Sequence, residues 1–349
     1  MVKQLLVQLH QLATTHKKYS GKNNQIKRLF FSSYDTLDVN CYSDRRDELF
    51  DSSKGKMSKL FGSIEAGGTK FVCAVGNESL MILESATFPT DKPEETLQKA
   101  VDFFKSFEGS LVAIAVGSFG PIDVDINSDT YGFVTTTPKP NWGNFDMIGF
   151  LKAQLNLPMF FTTDVNSSAF GEKILAPSLN SLVYFTIGTG IGAGAIQGDT
   201  FIGGTSHAEM GHMFVKRHPE DLEFAGSCPF HGDCLEGVAA GPSLEARTGV
   251  RGENISLESN VWDIQAYYIA QAAVSATLTL RPEKIIFGGG VMAQEHMMNR
   301  VRKQFAELLN DYVPVPDLTQ YLQIPSIENN ASATVGNFAL AKRQYEINR

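Results

Sequence analysis

His212, Cys228, His231 and Cys234 carry the sharpest chemical signal in the sequence. Two thiolates and two imidazoles make a closed tetrahedral donor set for zinc, of the kind that orders a loop rather than activating a water. The Cys-x-x-His-x-x-Cys spacing takes up two of only four cysteines in the chain, the others being Cys41 and Cys73. With one ring nitrogen of His212 on a metal, the other is free to hydrogen-bond a ligand hydroxyl, in a fixed tautomer. Glu209 and Glu236 flank this cluster and can accept hydroxyl hydrogen bonds. Glu236 would equally favour the dipole of a helix expected over 235–246. His207 and His218 read as ordinary surface or loop histidines.

Three glycine-rich turns follow strands. They are Glu65-Ala66-Gly67-Gly68-Thr69-Lys70, Gly188-Thr189-Gly190-Ile191-Gly192 and Gly288-Gly289-Gly290, the last expected to lead into a helix N-terminus. Each is either a simple tight turn or a place where backbone can approach phosphate closely. None has Walker A or GxGxxG spacing. Their repetition at strand ends in two parts of the chain favours phosphate. Asp164, in Thr162-Thr163-Asp164-Val165-Asn166, stands between an apolar strand and a helix. There it is either the helix N-cap or a carboxylate at the strand end, where α/β folds place their sites.

The elements that must position these groups alternate. Strands are predicted at 62–66 and 70–75 (a hairpin), 111–116, 159–163, 182–187, 192–197 and 285–287. Helical spacing marks 93–107, 147–155, 167–175, 261–280, 295–309 and a closing helix at 331–345. The boundaries expected are an N-terminal α/β domain at 57–175, a C-terminal α/β domain at 176–330 with a zinc loop at 207–236, and the closing segment 331–349. Residues 1–56 carry no Asp or Glu up to Tyr34 and then turn polar and mixed in charge. They read as an extension outside the fold, a disordered tail or an upstream start-site artefact, with Met57 as a candidate true start.

The chain has 349 residues, 43% of them hydrophobic, and a net charge of −8, so it can bury the cores of two domains and is not built to hold nucleic acid over a broad surface. No apolar run is long enough to span a membrane, and no secretory signal is evident. Cys73, in the apolar run Phe71–Val75, reads as a buried thiol, and the cysteine usage suits a reducing cytoplasm.

From Met57 to Arg349 the chain resembles the ROK family of sugar kinases and repressors, most closely its bacterial zinc-containing fructokinase group. The segments that carry the likeness are Ile64–Lys70, Thr136-Thr137-Pro138-Lys139-Pro140-Asn141-Trp142 and Cys228–Glu236. The resemblance implies two actin-like ATPase (ribonuclease H-like) α/β domains flanking a cleft. It implies ATP, Mg²⁺ and Zn²⁺ as cofactors, and phosphorylation of a hexose, D-fructose first, to the 6-phosphate. Mannose, glucose or an N-acetylated aminosugar are the alternative substrates, and a sugar-sensing transcriptional regulator is the alternative of another class.

By the same resemblance Asp164 is the general base, which reverses the cap reading. Asn141, Glu209, His212 and Glu236 bind sugar. Gly67, Gly68, Thr69 and Lys70, with Gly188, Thr189, Gly190 and Gly192, grip the ATP phosphates, while Gly289 and Gly290 lie near the adenosine. Glu65 stands where the wider fold usually has Asp and would help hold Mg²⁺. His231 replaces one Cys of the common ROK zinc set, and Thr163 replaces an Asn that often binds sugar. Trp142 is expected to pack. Family habit implies a homodimer.

Overall fold

In a computed structural model, the chain divides into two units, Met1–Ser53 and Lys54–Arg349. The structure describes residues 50–51, 56–57, 59–327 and 331–349. Of the first unit this covers the extended pair Phe50–Asp51. The expected extension 1–56 thus lies outside the described residues, except for 50–51 and 56.

The second unit opens with β1 (Leu60–Ala66), β2 (Lys70–Gly76) and β3 (Ile82–Pro89). Then come α1 (Pro93–Lys105), β4 (Leu111–Ser118), a small ribbon of β5 (Phe133–Val134) and β6 (Phe145–Asp146), α2 (Met147–Leu155), β7 (Met159–Thr163) and α3 (Asp164–Leu175). The five long strands form one sheet in the order β3-β2-β1-β4-β7. β1 and β2 pair antiparallel across the first glycine turn, whereas β4 and β7 run parallel to β1. Parallel strands covered on both faces read as continuous apolar runs, as Leu111–Val116 does. α1 starts on Pro93 with Glu94 and Glu95 in its first turn and ends on Lys105, an arrangement that suits the helix dipole.

The second sheet repeats the plan. Its elements are β8 (Ser181–Ile187), β9 (Ile191–Gln197), β10 (Thr200–Phe201), α4 (Leu235–Ala239), α5 (Gly241–Thr248), α6 (Val261–Leu280), β11 (Lys284–Gly288), α7 (Met297–Leu309), α8 (Leu318–Tyr321), β12 (Leu322–Gln323) and α9 (Ser332–Ile347). The order β10-β9-β8-β11-β12 again sets an antiparallel hairpin beside parallel strands. Its core gathers Phe185, Ile187, Leu235, Trp262, Tyr268 and Phe287, all buried.

α9 does not stay with the second sheet. It packs on α3, β1 and β4 of the first. Two glycines allow the close approach: a Cβ on Gly336 would stand 1.8 Å from the Ser167 carbonyl oxygen, and one on Gly171 would stand 2.1 Å from that of Ser332. Asn337 then bonds across three elements. Its amide donates to Ser63 Oγ and the Ile64 carbonyl, and its oxygen accepts from Ser167 Oγ at 2.6 Å.

Several expectations need correction. The helix expected over 235–246 is broken at Ala240, which is extended (φ −74°, ψ 162°). Pro242 in the first turn of α5 stops a continuous helix, and the Gly241 N–H turns instead to the Gly188 carbonyl at 2.7 Å. α3 begins at Asp164 rather than 167. α7 begins at Met297, so Val291–His296 separate it from the third glycine turn. The edge strand β3 escaped the sequence reading because its residues are mostly half-buried and alternate weakly.

Candidate active site

Asp164 is the first residue of α3, and Thr163 is the cap, its hydroxyl accepting the Asn166 N–H. The N-cap reading of Asp164 therefore falls. With Thr163 serving the helix, the Asp164 carboxylate is left at the end of β7, where it accepts the Val165 N–H at 2.8 Å. Burial pushes its carboxyl up to about 6, and the charge of Glu209 adds to the effect. Glu65, at the end of β1, is raised further, to about 7, by burial and by Asp164, against the pull of Lys70. Two buried carboxyls thus stand at the ends of β1 and β7, on either side of β4, close enough for Asp164 to raise Glu65, which is a donor chemistry suited to a hard divalent cation.

The first glycine turn is closed by Gly67 N–H to the Lys70 carbonyl and buttressed by Thr90, whose hydroxyl donates to the Gly67 carbonyl and whose N–H donates to that of Thr69. Gly68 has open space where a Cβ would be. In the second turn Gly188, Thr189 and Gly190 link β8 to β9, whereas Gly192 lies within β9 opposite Thr186. A Cβ on Gly192 would press Val165 at 3.1 Å, and one on Gly194 would meet the Val165 carbonyl oxygen at 2.4 Å. These strand glycines let the N-terminus of α3, with Asp164 on it, reach the second sheet. In the third turn Gly289 has φ 88°, and a Cβ there would strike the Ile187 backbone. Gly288, Gly289 and Gly290 line a cavity of about 660 Å³ with Met292, Asn299 and Arg302.

The His/Cys set assembles as the spacing predicts. Donor atoms of His212, Cys228, His231 and Cys234 all lie within 4.8 Å of one another. Cys228 Sγ stands 3.7 Å from His212 Nδ1 and 3.8 Å from His231 Nδ1, and Cys234 Sγ stands 3.6 Å from His212 Nδ1. Around a tetrahedral zinc, S and N donors at about 2.3 and 2.1 Å would be about 3.6 Å apart. Burial and the neighbouring Cys228 push the Cys234 thiol up to about 11, so that thiol needs a cation to ionise. Beside this set, Arg247 grips Asp221 through two 2.8 Å bonds, Tyr268 donates to the same carboxylate, and Arg217 bridges to Asp233 at 2.9 Å. No sequence spacing announced that second support.

Glu236, in the first turn of α4, turns to the second glycine turn, where its Oε2 accepts the Ile191 N–H at 2.9 Å. Glu209 sits just before His212, and burial and the charge of Glu236 raise its carboxyl while His212 lowers it. His207 lies in a loop, as one of the two expected readings has it, but not at the surface, for its side chain is only 3% exposed. Asn141 is exposed with φ 69°, a left-handed turn position that Asn tolerates well. Its neighbour Lys139, missed in the sequence, donates to the Gly68 carbonyl at 2.6 Å. Trp142 packs as expected, buried against Phe71, Phe119 and Phe145, with its indole N–H on the Asp91 carbonyl.

Paired sheets of one plan, with glycine turns at their strand ends and a carboxylate between them, define the actin-like ATPase fold, and the chain belongs to the ROK family, whose model matches residues 61–344. A fructokinase of Streptococcus mutans is 63% identical over 289 residues, 82% of this chain and 99% of that protein. A fructokinase of Lactococcus lactis is 54% identical, over 82% of this chain and 98% of that protein. Among solved structures, a ROK hexokinase from Thermus thermophilus superposes with a TM-score of 0.66 at 21% identity, covering 82% of this chain and 99% of that one.

Proposed function

We propose that this protein is an ATP-dependent fructokinase that converts D-fructose to D-fructose 6-phosphate. The observation that carries the reading is the 63% identity to a fructokinase along nearly that protein's whole length. Asp164 acts as general base. It takes the proton from the sugar hydroxyl as that oxygen bonds to the γ-phosphorus and the bond to the β-phosphate oxygen breaks, releasing ADP. Gly67, Gly68, Thr69 and Lys70, with Gly188, Thr189 and Gly190, receive the phosphates, and the cavity beside Gly289 and Gly290 receives the adenosine. Gly192 contributes by making room for Val165 rather than by touching phosphate.

Glu209, His212 and Glu236 hold the sugar, with Asn141 at the rim. His212 Nδ1, Cys228, His231 and Cys234 would hold a zinc ion, which would order the loop and leave His212 Nε2 for a sugar hydroxyl. A Mg²⁺ ion bound with ATP would supply charge neutralisation. The desolvated pair Glu65 and Asp164 supports its placement there. We keep the domain boundaries 57–175, 176–330 and 331–349 as a proposal, with one sheet in each of the first two and α9 packed on the first sheet. No helix among the described residues is long and apolar enough to cross a membrane. We read the enzyme as a cytoplasmic homodimer, following the family, and light scattering on the purified chain tests the dimer.

The deciding experiment is an ADP-release assay with Mg-ATP and a panel of hexoses, with the product position read by NMR. Fructose-dependent turnover to the 6-phosphate is expected. Preferential turnover of glucose, mannose or an N-acetylated aminosugar would overturn the choice of fructose, and none with any sugar from zinc-loaded protein would overturn the kinase reading.

A further inference from the structure

His207, beside Glu209, meets the first half of the unit through a contact the proposed mechanism does not use. The His207 backbone bridges to Gly203 at the neck of a turn, where a Cβ on Gly203 would stand 2.1 Å from the Ser206 carbonyl oxygen. That turn aims the imidazole back across the molecule. Its Nε2 accepts the Ile122 backbone N–H at 3.1 Å. Ile122 follows β4 of the first sheet, while His207 follows β10 of the second. Because Nε2 accepts, a neutral ring must carry its proton on Nδ1. Burial favours the neutral ring, lowering the His207 pKa.

Nδ1 is buried, has no hydrogen-bond partner in good geometry, and faces Glu209 Oε1 at 3.3 Å. A buried N–H without a partner is costly, and a small rotation of the half-exposed carboxylate would satisfy it. Gly120 keeps the passage open, since a Cβ there would stand 3.2 Å from both Glu209 Oε1 and His207 Cε1. His207, Glu209, Pro121, Ile122 and Thr135 line a common cavity of about 490 Å³.

We propose that His207 is a positioning residue that takes its tautomer from the Ile122 N–H and directs its Nδ1–H to the Glu209 carboxylate, so that Glu209 is aimed at the sugar only when the two halves are in register. This rests on Glu209 as a sugar ligand. His207 touches neither reactant. It converts a backbone contact from one half into the orientation of an acceptor on the other. A carboxylate held by a fixed donor loses less rotamer freedom on binding, so the effect falls on sugar affinity and not on ATP.

The test compares His207→Leu, His207→Gln, Glu209→Ala and the double variant His207→Leu/Glu209→Ala in the full chain. KM for fructose, KM for ATP, zinc content and melting temperature are measured for each. Leu removes both bonds, whereas Gln can still accept from Ile122 and donate to Glu209. His207→Leu is expected to raise KM for fructose about tenfold with KM for ATP unchanged, His207→Gln to recover most of that, and the double variant to be no worse than Glu209→Ala alone. An unchanged fructose KM in Glu209→Ala would reject Glu209 as a sugar ligand, and the proposal with it. A raised KM in Glu209→Ala with no effect of His207→Leu, or with additive effects in the double variant, would overturn the role of His207 alone. If His207→Leu fails to fold, His207→Gln decides: it must keep the fructose KM within about threefold of the parent, and a larger rise overturns the proposal.

Discussion

Glu236 Oε2 accepts the backbone N–H of Ile191 at 2.9 Å, which ties the first turn of α4 to the glycine turn between β8 and β9. The same oxygen lies 2.8 Å from where a Cβ on Gly190 would be. A side chain proposed for the sugar therefore also braces a turn proposed for phosphate. Glu236→Ala is expected to raise KM for fructose and for ATP together, each by about ten- to a hundredfold, as loss of a charge-assisted bond at about 1.5–3 kcal/mol predicts. Steady-state kinetics with each substrate varied in turn checks this, and an effect on fructose alone would count against the brace.

Asp164→Asn should keep fructose binding, measured calorimetrically, while kcat falls by about 10²–10⁴. In the parent enzyme the base works only when ionised. Since burial lifts Asp164 to about 6, kcat/KM should drop as pH falls through about 6 and level off above it. Turnover of Asp164→Asn equal to the parent would remove Asp164 as the base.

Stripping zinc should loosen the loop and leave the rest of the unit folded. The Asp221–Arg247–Tyr268 network near the site uses none of the donor residues. Hydrogen exchange before and after chelation should show increased exchange across 207–236 and little change in β8 or α6, together with weaker fructose binding. Active protein that contains no zinc by elemental analysis would refute the assignment.

Two glycine substitutions separate turn chemistry from packing. Gly194→Ala forces a methyl against the Val165 carbonyl at 2.4 Å, so it should lower stability by about 1–3 kcal/mol and shift the end of α3 that carries Asp164. Gly68→Ala meets nothing within 4 Å, so its melting temperature should hold while KM for ATP rises. Denaturant melts alongside kinetics distinguish the two, and equal loss of stability in both would contradict the placement of these glycines.

The sequence by itself determined what depends on short-range spacing. The hairpin across Gly67–Thr69, α2 and α6 at their predicted bounds, and the His/Cys donor set were all legible, because periodicity and local ligand spacing are encoded within a few dozen residues. The strand-end position of Asp164 was legible as well, although its freedom from capping depended on Thr163 taking that bond. Tertiary structure decided the rest. Glu236 reaches Ile191 across 45 residues, His207 reaches Ile122 across 85 and Asn337 reaches Ser167 across 170. No local pattern marks such pairs, because each exists only after the sheets have brought distant backbone into hydrogen-bonding range. The same holds for the return of α9 to the first sheet, which needs two glycines far apart in the chain to meet at one crossing.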